Sequence, residues 1–90
     1  MKHEQSIHNK NALKPYKQAI SRYIRSAMVL KGMKYDQLSE RLLDKGIDLT
    51  SDNLRSKVSK GMFSADLLVA IIDILQVEEV AMSEILKLID

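Results

Sequence analysis

Tyr35-Asp-Gln-Leu-Ser-Glu-Arg-Leu-Leu43, the break Asp44-Lys-Gly-Ile-Asp-Leu-Thr50, and Ser51-Asp-Asn-Leu-Arg-Ser-Lys-Val-Ser-Lys60 closed by Gly61 decide how this chain folds. The first segment is amphipathic at helical spacing, with Leu38, Leu42 and Leu43 expected inward. The last segment is a second short helix with two apolar positions, Leu54 and Val58, one turn apart. Its remaining positions are Asp, Asn, Arg, Ser and Lys. A helix with so thin a packing stripe presents side chains able to bond base edges and phosphates, which suits a DNA major groove. The apolar run Phe63–Leu75 follows at once and can hold that helix in place.

Working outward, residues 1–15 show no apolar periodicity and predict a flexible basic arm ahead of a domain at 16–90. From Tyr16 the set Ala19, Ile20, Tyr23, Ile24, Ala27, Met28 and Leu30 recurs at helical spacing, predicting a first helix over Pro15–Lys31 that ends at Gly32. The second helix is expected over Tyr35–Asp44. Thr50 or Ser51 can cap the third. Ser64 is expected to cap a fourth helix that Leu67, Leu68, Ile71, Ile72, Ile74 and Leu75 leave with little polar face. A last turn begins after Ser83, or a fifth helix begins near Glu79. Strand signals at Ile47, Leu49 and Val77–Val80 have no partner. The expectation is all-α, a bundle of four to five helices.

Composition narrows the function. There is no cysteine among 90 residues, hence no disulfide framework, thiolate zinc site or thiol nucleophile. No apolar run approaches the ~20 residues of a membrane span, and the polar Met1–Ser6 lacks an apolar signal core, so a cytoplasmic location is expected. The net charge of +2 hides an asymmetry: residues 1–63 balance at +7 and residues 64–90 at −5. One part attracts a polyanion and the other repels it.

Asn53-Leu-Arg-Ser-Lys-Val-Ser-Lys-Gly61, followed by Ser64-Ala-Asp-Leu-Leu-Val-Ala-Ile-Ile-Asp-Ile-Leu75, resembles the helix-turn-helix domains of the Cro/lambda-repressor type. Leu38 and Ser39 match that family's large-apolar-then-small pair on its second helix. Val58 matches its recognition-helix anchor, and Gly61 the glycine after it. The chain is also similar to small bacterial helix-turn-helix-like proteins with an Asn-Leu-Arg-x-Lys pattern. The resemblance covers about residues 17–88. It implies a compact five-helix fold and a regulator of phage, plasmid or mobile-element type that binds double-stranded DNA, in the first instance as a repressor. One departure stands out. The motif's turn has about 3–4 residues, whereas Asp44–Thr50 supplies seven. Either the second helix runs through Lys45, or the turn is a longer loop anchored by Ile47 and Leu49.

On this reading the candidate DNA contacts are Ser51, Asn53, Arg55, Ser56, Lys57 and Lys60, with Arg22 and Arg25 on the first helix. Asn53 offers a donor and an acceptor together, matching adenine; Arg55, Lys57 and Lys60 reach phosphates or guanine. Ser51 and Ser56 are short enough to bond a phosphate near a helix N-terminus, provided Asp52 points away. The bland alternative is a solvated polar face. Lys2, Lys10 and Lys14 of the arm are candidates for a minor groove, although such arms are more often disordered.

The C-terminal region is richer in Ile, Leu and Val than a bundle this small readily hides. A homodimer through helices four and five is therefore expected, with Ile72, Leu75, Val80, Ile85, Leu88 and Ile89 at the interface. The competing class is a protein-interaction module that keeps the scaffold without binding DNA. His3 in Met1-Lys-His has the spacing of a copper or nickel site, an incidental pattern, and His8 has no ligand partner at helical spacing. Met28, Met33, Met62 and Met82 are expected as gap fillers in the core. Scattered glycines, no phosphate-loop motif and diverging Glu78-Glu79 exclude any recognisable catalytic constellation. No cofactor, metal or small-molecule ligand is expected.

Overall fold

The computed structural model describes residues 2–89, with side chains described for 8–89. The protein is all-α, with five helices: α1 Lys2–Leu30, α2 Tyr35–Asp44, α3 Ser51–Lys60, α4 Ala65–Leu75 and α5 Ala81–Lys87. At ~1.5 Å rise per residue the 29-residue α1 is as long as the molecule itself, whose greatest extent is 43 Å. It packs on α3 and α5, while α2 packs on α3 and α4. No helix is long and apolar enough to cross a membrane.

The core follows the helical spacing of the apolar residues. Ala19, Tyr23, Ile24, Ala27 and Met28 come from α1, Leu38 and Leu42 from α2, Leu54 and Val58 from α3, and Ile71, Ile74 and Leu75 from α4. Val77, Ala81 and Ile85 close it from the C-terminal side. Each Leu, Ile, Val or Met side chain among them, fully buried, contributes roughly 1.5–3 kcal/mol. Tyr23 lies against α5; burial first and the Glu84 carboxylate second push its phenol pKa upward.

Several helices end in the same way. Gly46 N–H donates to Leu43 and Ile47 N–H to Leu42; Gly61 N–H donates to Val58 and Met62 N–H to Lys57. This is the Schellman pattern, a left-handed residue followed by a bond reaching one turn back. Gln76 fills the left-handed position after α4 at φ 57, the one described non-glycine residue with positive φ.

Where the sequence predicts a flexible arm over 1–15, residues 2–15 are helical. Lys2–Leu30 is continuous, and Pro15 lies inside it rather than at its start. Proline removes one backbone donor, yet Lys10, Ala12, Leu13 and Lys14 around it are good helix formers. Residues 8–14 are all exposed, so this part of the helix has no core side. The side chains of Lys2 and His3 lie outside the described residues.

Other expectations shift where an apolar residue drifts off the packed side of its helix. Leu43 is exposed although Leu42 is buried, and Leu30 at the end of α1 is 79% exposed. Met62 and Met82 are at the surface, while Met28 is buried and Met33 half-buried. In α4, Val69 is 64% exposed beside Asp66 and Asp73, so that helix has a solvent edge after all. α5 begins at Ala81, between the two starts considered.

Candidate nucleic-acid interface

α3 depends on its ends because it has so little side-on packing. Thr50, extended at φ −73, ψ 159, caps it: the Thr50 hydroxyl accepts from the Asn53 backbone N–H at 3.1 Å. At the other end, Gly61 has φ 63 and lies against the backbone of α1. A Cβ there would fall 1.9 Å from the Lys17 carbonyl oxygen. Ser21, on the next turn of α1, donates its hydroxyl to the Ser59 carbonyl at 3.4 Å. Leu54 and Val58 are 0% exposed. Thus α3 is pinned by two anchors, a hydroxyl cap and a glycine contact, and its other sides are left to solvent.

The connection before it is the longer loop. α2 ends at Asp44, and six residues, 45–50, follow. Ile47 and Leu49 are half-buried and pack on the core. The Ser39 hydroxyl donates to the Leu49 carbonyl, so the small residue after Leu38 ties α2 to the loop. Lys45 reaches Asp73 of α4 at 3.3 Å, an exposed pair of little energetic weight. α2 begins without a hydroxyl cap, but Gln37 turns back and accepts from the Lys34 backbone N–H at 2.9 Å. α4 begins after Ser64, whose side chain does not cap it. The Ser64 hydroxyl and then the Leu67 N–H instead hold the Asp66 carboxyl below its usual range, and Leu67 N–H donates to Asp66 Oδ1 at 2.9 Å.

The proposed contact residues divide between two flanks of α3. Asn53, Ser56, Lys57 and Lys60, at i, i+3, i+4 and i+7, form one stripe. They line a shallow groove of about 460 Å³ with Leu49 and Met62 at its edges. Asn53, Ser56 and Lys60 are exposed and Lys57 is half-buried. Ser51 is half-buried at the helix start. Arg55 belongs to the opposite flank, held by Asp52 at 3.3 Å and standing 5.0 Å from the Tyr35 ring centroid. That pairing also draws Asp52 away from the Asn53 stripe. Arg25 joins Arg55 across a second cleft, together with Lys34 and Tyr35. Arg22 is exposed on α1 and lines neither groove.

A family model described as "Domain of unknown function (DUF6471)" matches residues 16–80. The chain belongs to that family. No curated protein and no solved structure matches it. The DUF6471 span takes in the whole of α2, α3 and α4 and α1 from Tyr16 onward, and so includes both flanks of α3.

Sequence spacing alone does not single out Lys34 and Tyr35 as neighbours of Arg25 and Arg55. The signal is faint: an aromatic residue beside a cation at the start of α2. Among the expected interface residues, Leu75 and Ile85 are buried in the chain's own core and drop out of any dimer face. Leu75 is on α4, which packs on α2, and Ile85 is on α5, which packs on α1. Ile72, Leu88 and Ile89 are half-buried and Val80 is exposed. Val80 and Leu88 share a mostly apolar cleft of about 360 Å³ with Tyr23, Ala27, Leu30 and Val77. Among the described residues, no cluster of His, Cys, Asp and Glu is arranged to hold a metal ion.

Proposed function

We propose that this protein is a sequence-specific DNA-binding regulator that inserts α3 into the major groove. The observation that carries the reading is the outward stripe Asn53–Ser56–Lys57–Lys60 on a helix whose apolar residues, Leu54 and Val58, are both fully buried. Such a helix can enter a groove without uncovering core. In the loop 45–50, Ile47 and Leu49 are half-buried against the core, and Leu49 borders the stripe. Asn53 is placed for adenine, and Lys57 and Lys60 for phosphate or guanine. The resemblance to Cro/lambda-repressor domains and the +7 balance of residues 1–63 agree with this role. A selected duplex tests it. Binding weakens steeply with salt, Lys57→Ala flattens that slope on every sequence, and Asn53→Ala costs about 1–3 kcal/mol on the selected site alone. Equal binding of parent and both variants to selected and random duplexes sinks the assignment.

A second copy fits the same proposal. Leu30 and Val80 are exposed and border one mostly apolar cleft between α1 and α5, and α4 and α5 belong to the acidic part of the chain. A twofold dimer formed there places two α3 helices on half-sites about 34–36 Å apart. Light scattering after size exclusion checks it: a monomer at high micromolar concentration removes the dimer and leaves single-site binding. The same apolar surface favours the rival class, a module docking another protein, which predicts no salt-dependent duplex binding.

A further inference from the structure

We infer that the cleft between α1, the start of α2 and α3 is a binding site for a small phosphate ester of nucleotide size. Three cations meet there from three separate elements: Arg25 of α1, Lys34 before α2 and Arg55 of α3. Asp36 is the one acid in the lining. Arg55 stands 5.0 Å from the Tyr35 ring centroid, and its Nη1 meets Asp52 in an exposed pair of little energetic weight. A guanidinium has five donors, and its forked geometry suits phosphate oxygens.

The rest of the lining explains why the ligand is an ester rather than a bare anion. Met28, Val29, Met33 and Tyr35 supply apolar surface beside the cations, which suits a planar or apolar body. The volume, about 470 Å³, admits a small molecule and is close to the 460 Å³ of the stripe-side groove, so the lining rather than the size singles this cleft out. The cleft lies on the flank of α3 away from Asn53, Lys57 and Lys60, so it is separate from the proposed base-reading stripe and does not depend on that reading.

The test is titration of the full chain with adenosine monophosphate, followed by amide chemical shifts and calorimetry. Saturable shifts are expected at Arg25, Lys34, Tyr35 and Arg55, with adenosine and inorganic phosphate each binding more weakly. Arg25→Gln and Lys34→Gln should each lower affinity about tenfold, the order expected for one charged hydrogen bond, with thermal melts showing both variants folded. No saturable shift at these residues overturns the assignment, as does adenosine or phosphate binding as tightly as the nucleotide. A selected duplex distinguishes the source of the phosphate. If duplex and nucleotide bind together, the site takes a free ligand. If they exclude each other with shifts on the same residues, the cleft receives a backbone phosphate and the free-ligand assignment falls. If the nucleotide binds and no duplex does, the regulator reading fails and this one stands.

Discussion

α3 and α4 are nearly equal in length, ten and eleven residues, and are held in opposite ways. α4 is held along its sides: Ile71, Ile74 and Leu75 are buried and Leu67, Leu68, Ala70 and Ile72 half-buried. It needs no hydroxyl cap and tolerates a strained Gln76 at its end. α3 has two buried anchors and is held at its ends, by Thr50 and by Gly61 against Lys17. A helix fixed at its ends keeps most of its circumference available for a partner. A helix fixed along its sides does not. Hence α3 is the candidate for recognition although α4 is the more securely packed.

Perturbations that separate ends from sides test this contrast. The largest effect is expected for Gly61→Ala, which adds a Cβ to a left-handed residue already against the Lys17 backbone. Because backbone cannot swing aside like a side chain, the loss in urea unfolding should exceed about 4 kcal/mol. Should it cost under ~1 kcal/mol, α3 is not pinned at that end. Next comes Ile71→Ala on α4, fully buried. Cavity formation there predicts a loss of about 2–5 kcal/mol, with α3's polar stripe unaltered in amide spectra. Thr50→Ala is smaller, about 1 kcal/mol. Its signature is faster hydrogen exchange at Asn53, whose N–H the hydroxyl accepts. Unchanged exchange would mean the cap is dispensable. Smallest, and of opposite sign, is Gln76→Gly, which relieves the positive φ after α4 and should raise stability by roughly 0.5–1 kcal/mol in the same assay.

The central part of the fold was legible because punctuation and periodicity agree there. Gly46, Thr50 and Gly61 mark ends that the helical spacing of Leu38, Leu42, Leu54 and Val58 already implies, and α2 and α3 have the expected bounds. The start of α1 was not legible, because Pro15 reads as a first-turn residue and residues 8–14, all exposed, carry no apolar period to extend the helix backwards. Gln37's reach back to Lys34 was overlooked because no hydroxyl residue announces the cap. Sequence could not say how far round each helix burial extends, so Leu30 and Leu43 came out exposed while Leu75 and Ile85 belong to the chain's own core. The Asn53–Lys60 stripe was readable because one helix carries it. The Arg25–Lys34–Arg55 cleft was not, since tertiary packing alone joins residues from α1, the turn before α2 and α3.

Pro15 divides α1 into two mechanically unequal halves. Without an N–H at that position, the carbonyl one turn earlier loses its usual helical partner, just where the side chains stop having a core to rest on. Unwinding that starts ahead of the proline therefore meets a natural firebreak and need not spread into Ala19, Tyr23 and Ile24. The exposed turns 8–14 of α1 can thus open without disturbing the bundle behind them.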